Sequence, residues 1–200
     1  MNRLLGAGGL ALMLLYHCAQ AQVIEFESNG LKYQTLTKSG VTVMFARLTA
    51  HVREYTIIQV AVSNGSTGPY FIRPEDFAFV RSDGSTIQGA STRAVIATLS
   101  QKANGNDMVK LVTTYEAGIY GNPHLKSTNG YEQRRQAALA ASSSKLKAAA
   151  VASALAMAQS KLAPGESTDG AVFFPTDGRP LIGGRFVVRT NTDVFTFNLE

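Results

Sequence analysis

Cysteine is almost missing from this 200-residue chain. Cys18 is the only one, and it sits in an N-terminal segment expected to be removed. A chain without cysteine forms no disulfide, offers no thiol nucleophile and builds no cysteine-metal site. Histidine is nearly as scarce. Only His51 and His124 remain beyond that segment, and no metal-ligand spacing surrounds them. No G-x-S-x-G is present, and Gly118-x-x-Gly121 lacks the strand-before, helix-after context of a phosphate loop. No internal repeat is visible. These gaps leave no cofactor or metal to expect, point away from an enzyme, and make the fold depend on its hydrophobic core.

What is present begins with an export signal. Arg3 supplies the positive charge, Leu4 to Leu15 an uncharged apolar run, and Ala19-Gln20-Ala21 a small-x-small cleavage site. The run falls short of the roughly 20 residues of a membrane span, so residues 1–21 read as a signal peptide. No span is expected in the mature chain from Gln22, which should be periplasmic or extracellular. The alternative is a lipoprotein anchored at Cys18: Leu15 suits that motif, whereas Tyr16 and His17 are bulky where small residues are usual. The remainder, about 180 residues, suits one domain.

Charge is unevenly placed. The net of +5 comes from the middle third, where Lys102, Lys110, Lys126, Arg134, Arg135, Lys145, Lys147 and Lys161 face only Asp107, Glu116 and Glu132. That block has few aromatics interleaved with its cations. A single-strand stacking surface would need them, and nucleic acid is not an expected partner.

Periodicity divides the chain in three. Residues 31–37, the alternation Val41, Val43, Phe45, and YTIIQVAVS at 55–63 read as strands. YFIR, FAFV and STIQ follow, with Asp83-Gly84 as a hairpin turn. From residue 91 the period becomes helical. Ser91 reads as an N-cap for Val95 and Leu99, Asn104-Gly105 as a stop, and Asp107 as the cap of a helix presenting Met108, Leu111, Val112 and Tyr115. Residues 118–130 read as a loop, followed by one long alanine-rich helix from Tyr131 to Lys161 that Pro164-Gly165 closes. Strands resume at 171–175, 184–190 and 194–199.

The segments IIQVAVSNGS, IRPEDFAFVRSDGS and LAPGESTDGAVFFP resemble the immunoglobulin-like domains of uncharacterised bacterial exported proteins, over roughly residues 31–90 and 162–199. That resemblance implies a mainly β (α+β) chain: an immunoglobulin-like β-sandwich of about seven strands over residues 22–200, interrupted at about 91–162 by two or three helices. It carries no catalytic residue.

Candidate chemistry is thin. His51 and Arg53 would share one side of an extended segment as base and anion holder, but an ordinary polar strand connection is the favoured reading. Ser142-Ser143-Ser144 beside Lys145 follows from composition, and Asn64-Gly65-Ser66, formally a glycosylation acceptor, is more simply a turn. The alanine-rich helix offers more. Leu139, Leu146 and Met157 fall on one line and Val151, Leu155 and Leu162 on another, expected as two contact surfaces on a helix too long for its sandwich, with a bend at 142–144. Arg134, Arg135, Lys145 and Lys147 are the candidate anion contacts. The expected function is a non-catalytic envelope protein that binds an unknown envelope protein or a second copy through this insertion. The alternative is a binder of an anionic ligand or cell-surface polymer.

Overall fold

The computed structural model describes residues 22–28, 30–120 and 131–199. The expected signal peptide, Cys18 and His124 lie outside them. In chain order the elements are β1 (Ile24–Ser28), β2 (Leu31–Lys38), β3 (Val41–Val52), β4 (Tyr55–Asn64), β5 (Tyr70–Ile72), a 3₁₀ turn at Pro74–Asp76, β6 (Phe77–Arg81) and β7 (Thr86–Gln88). Four helices follow: α1 (Thr92–Lys102), α2 (Gly105–Tyr120), α3 (Tyr131–Leu139) and α4 (Ser144–Leu155). The chain closes with β8 (Ser160–Leu162), β9 (Ser167–Pro175), β10 (Gly184–Arg189) and β11 (Val194–Leu199). The fold is mainly β, with several antiparallel sheets and four helices. No helix among the described residues is long and apolar enough to cross a membrane.

One sheet has the order β1-β2-β3-β4-β9, the second β11-β10-β6-β7, and β5 pairs with β8. The two larger sheets share a core. Phe45, Val60 and Phe174 meet Phe77, Phe79, Phe186 and Phe197; the Phe45 ring lies 4.5 Å from Phe186 and 4.9 Å from Phe197. A second core covers the opposite face of the five-stranded sheet. There Tyr55, Ile57 and Phe173 pack under Val95, Leu99, Leu111, Tyr115, Val151 and Leu155 of the helices. β4 is therefore buried on both faces, which is why YTIIQVAV reads as a near-continuous apolar run.

Local signals explain the helix starts. Ser91 Oγ accepts from the Ala94 N–H at 3.3 Å, and α1 buries Val95 and Leu99, as its spacing predicts. Asn104 does more than stop α1. Its Oδ1 accepts from the Asp107 N–H (3.1 Å) while Asp107 Oδ2 accepts from the Asn104 N–H (2.8 Å), a reciprocal cap that starts α2. Asp107 is thus the inner partner and Asn104 the cap. Residues 118–120, expected in a loop, belong to α2, which runs to Tyr120; the rest of that expected loop lies outside the described residues.

The alanine-rich stretch departs furthest from expectation. It is not one helix to Lys161. α3 stops at Leu139, Ser143 Oγ then caps a new helix by accepting from the Leu146 N–H, and α4 ends at Leu155. Residues 160–162 form a strand, with Tyr70 opposite Leu162, so the insertion is four helices ending short of 162. The overhang disappears with the long helix. α4 touches α1, α2 and α3, and Ala148, Ala149, Ala152 and Ala154 are buried among them. The first turn of α4 is exposed, but from Ala148 to Leu155 the helix is buried apart from Ala150 and Ser153, and its small side chains let three neighbours approach at once. The segment after it lies directly on the sheet: the Met157 N–H donates to the Ala171 carbonyl at 2.9 Å. A Cβ on Gly170 would stand 2.4 Å from Met157 Cα.

Candidate functional site: a charged cleft beside the third helix

The two strand segments that flank the helical insertion in sequence are tied together at Asn64, which is fully buried. Its Nδ2 donates to the carbonyls of Gly68 (2.8 Å) and Leu162 (3.0 Å), and its Oδ1 accepts from Ser66 N (3.1 Å) and Ser66 Oγ (2.6 Å). Its main chain donates to the Glu166 carbonyl and accepts from the Gly165 N–H. With every polar atom engaged, Asn64 serves as a structural tie, in line with the turn reading of Asn64-Gly65-Ser66. Gly165 takes φ +84, a left-handed conformation that suits glycine, and lets the chain reverse between β8 and β9.

That reversal forms one wall of a cleft of about 640 Å³, with Arg134 of α3 facing Ser160, Lys161, Glu166, Thr168 and Asp169. α3 is held over it by aromatic packing. The rings of Tyr115 and Tyr131 lie 4.8 Å apart, Tyr115 Oη donates to the buried Asp169 Oδ2 (2.7 Å), and Tyr131 Oη to Glu116 Oε1 (3.2 Å). Arg135 Nε stands 2.7 Å from the same Glu116 oxygen, so its charge is already met. Arg134 differs. It is half-buried, and its Nε and Nη2 are shielded from solvent without a hydrogen bond among the described residues. These two nitrogens form one edge of the guanidinium, whose parallel N–H bonds fit the two oxygens of a carboxylate or phosphate. Lys161 is positioned as well, with Nζ 5.5 Å from the centre of the Phe71 ring.

The four candidate anion contacts therefore separate. Arg134 lines the cleft, Arg135 is paired with Glu116, and Lys145 (exposed) and Lys147 (half-buried) do not line it. Lys161 is the residue that sequence reasoning missed, because β8 was read as helix. The apolar candidates separate too. Val151, Leu155 and Met157 are 0 % exposed and Leu162 4 %, so they pack within the fold and present no surface. Leu139 (36 %) and Leu146 (51 %) remain exposed. Met157 and Leu162 belong to the core between the large sheets, and Val151 and Leu155 to the helical core. Of the two expected lines, Val151, Leu155 and Leu162 pack within the fold while Leu139 and Leu146 stay exposed; Met157 and Leu162 lie beyond the end of α4.

His51 and Arg53 are engaged separately. His51 Nδ1 lies 3.0 Å from Thr56 Oγ1, whereas Arg53, in a turn at φ 56, donates from Nε to Asp107 Oδ2 at 2.7 Å. Among the described residues no cluster of three or more His, Cys, Asp or Glu could hold a metal ion. What the cleft offers chemically is charge and hydrogen-bond donation.

The sequence matches no family model and no curated protein. Among solved structures, the crystal structure of the yjhA protein from Bacillus subtilis aligns at 8% identity with a TM-score of 0.37, over 88% of this chain and 96% of that one. A likeness that distant carries no argument.

Proposed function

We propose that the protein is a non-catalytic exported binding domain whose cleft holds an anionic group, a carboxylate or phosphate, of a small ligand or surface polymer. The observation that carries the reading is Arg134, a guanidinium edge withdrawn from water with nothing to bind. A buried donor left unpaired costs about 1–3 kcal/mol, more when charged, and an oxyanion seated on that edge removes the cost. Lys161 adds a second cation. Glu166 and Asp169 line the same cleft and favour an isolated anionic group over a dense run of them. The rival reading, protein contact through the helical insertion, keeps Val109, Leu139 and Leu146 as exposed apolar anchors among the described residues.

We also propose that the two large sheets form an immunoglobulin-like sandwich of the kind the sequence resembles. Support comes from strand order. β3-β4-β9 follows the A-B-E order of such domains and β7-β6-β10-β11 the C′-C-F-G order, with the helices standing between C′ and E. On this reading the chain is cleaved after Ala21 and works in the periplasm or outside the cell.

Calorimetric titration with succinate and inorganic phosphate at low and high salt tests the function. Saturable binding that weakens with salt and is lost in Arg134→Gln supports the cleft. Binding that survives that substitution, or no binding by either anion, refutes it.

A further inference from the structure

The pairing of β3 with β4 slips between Arg47 and His51, and beside that irregularity lies a hollow of about 230 Å³. Its walls are mostly apolar, with Ile58 on one side and Pro180, Leu181 and Ile182 on the other, while Ile57 turns its side chain to the opposite face of the sheet. Arg47 Nη1 reaches the Leu181 carbonyl at 3.5 Å and braces the second wall. Ile182 is 57 % exposed and forms the rim. His51 also lines the hollow.

The hydrogen bonds around Thr56 assign the His51 tautomer. Thr56 Oγ1 has one hydrogen, and it goes to the Arg179 carbonyl (3.0 Å), which only accepts. Thr176 Oγ1 (2.7 Å) and His51 Nδ1 (3.0 Å) must then both donate to Thr56 Oγ1. The neutral imidazole therefore carries its proton on Nδ1, and Nε2 keeps a lone pair. Among the described residues no hydrogen bond is made to Nε2. A single acceptor thus borders an apolar space larger than the roughly 150 Å³ that holds benzene in an engineered cavity.

We infer that this hollow binds a small aromatic ring bearing one hydrogen-bond donor, the ring against Ile58, Leu181 and Ile182 and the donor on His51 Nε2. This site is separate from the Arg134 cleft and stands or falls independently of it.

Phenol and toluene, alike in size but not in donor, are the probes, read by methyl NMR of the purified protein. Phenol should shift the Ile58, Leu181 and Ile182 methyls saturably and move the His51 Nε2 resonance; toluene should leave that nitrogen unmoved. His51→Phe should weaken phenol about fivefold, the value of one neutral hydrogen bond, and leave toluene within about twofold. Ile182→Glu should weaken both without loss of fold. The proposal is overturned if phenol does not saturate these methyls or if its binding leaves Nε2 unmoved in the parent protein. It is equally overturned if His51→Phe weakens both probes alike.

Discussion

The two cores of this molecule both hold aromatic rings but differ in what fills their centres. Between the sheets lie Phe45, Phe77, Phe79, Phe174, Phe186 and Phe197. Above the five-stranded sheet, the central helix contributes Ala148, Ala149, Ala152 and Ala154. Sheets face each other across about 10 Å, a gap that only large side chains fill, whereas α4 sits among three helices and a sheet, where small side chains allow contact on every side. The first core is therefore sensitive to losing volume or gaining charge, and the second to gaining volume. The proposed anion site belongs to the helical layer, where Arg134 Nε and Nη2 make no hydrogen bond among the described residues.

The largest expected effect is on the aromatic side. Val60 is fully buried between the sheets, and Val60→Asp places an unpaired carboxylate there, costing on the order of 4 kcal/mol or more. Chemical denaturation measures it, and a parent-like midpoint would mean that the facing of β4 is wrong. Overpacking should be the signature of the helical core. Ala152→Leu adds volume where α4 has no room and should cost about 1–3 kcal/mol, while the same change at an exposed helical site would be near neutral. Equal effects at both sites would erase the contrast between the cores.

Alkaline titration should be gentler. Tyr70 bonds to Thr190 Oγ1 at 2.7 Å, and burial is the main cause that raises its hydroxyl above its ordinary value; Tyr33 is raised by burial as well. The folded state therefore holds these protons more tightly than the unfolded chain does. Their contribution to stability is complete below about pH 10 and fades as pH climbs through the raised values. Melting temperatures above pH 10 should fall less steeply in a Tyr33→Phe, Tyr70→Phe double variant. The smallest effect is expected at Leu139 and Leu146. Changing both to Gln should move stability within about 0.5 kcal/mol each, and unchanged light scattering would weigh against self-association through them.

Much of the β framework was legible because its alternation is local. Phe195, Phe197 and Leu199 point inward as their spacing predicts, and Gly84 adopts the positive φ that the Asp83-Gly84 turn requires. β1 was missed because IEFES is exposed along its length but for Ser28 and carries no core signal. The alanine-rich stretch misled for a different reason. Alanine favours helix wherever it sits, so although the serine triplet at 142–144 marked the place of the break, read there as a bend, composition did not mark the strand at Ser160, which depends on β5 far along the chain. Arg134 stood out as a cation, but its cleft did not: the opposite wall exists only because Asn64 ties Leu162, Gly165 and Glu166 into place.

The most direct test is the melting temperature of the parent and of Arg134→Met, with and without succinate at constant ionic strength. An unpartnered guanidinium edge should cost the empty protein stability, so Arg134→Met should melt at or above the parent when no ligand is present. Succinate at about a hundred times its dissociation constant should stabilise the parent by about 2.7 kcal/mol and leave the variant unmoved. A variant that melts well below the empty parent, or that gains as much from succinate, would contradict a recognition role for Arg134 and make it part of the scaffold.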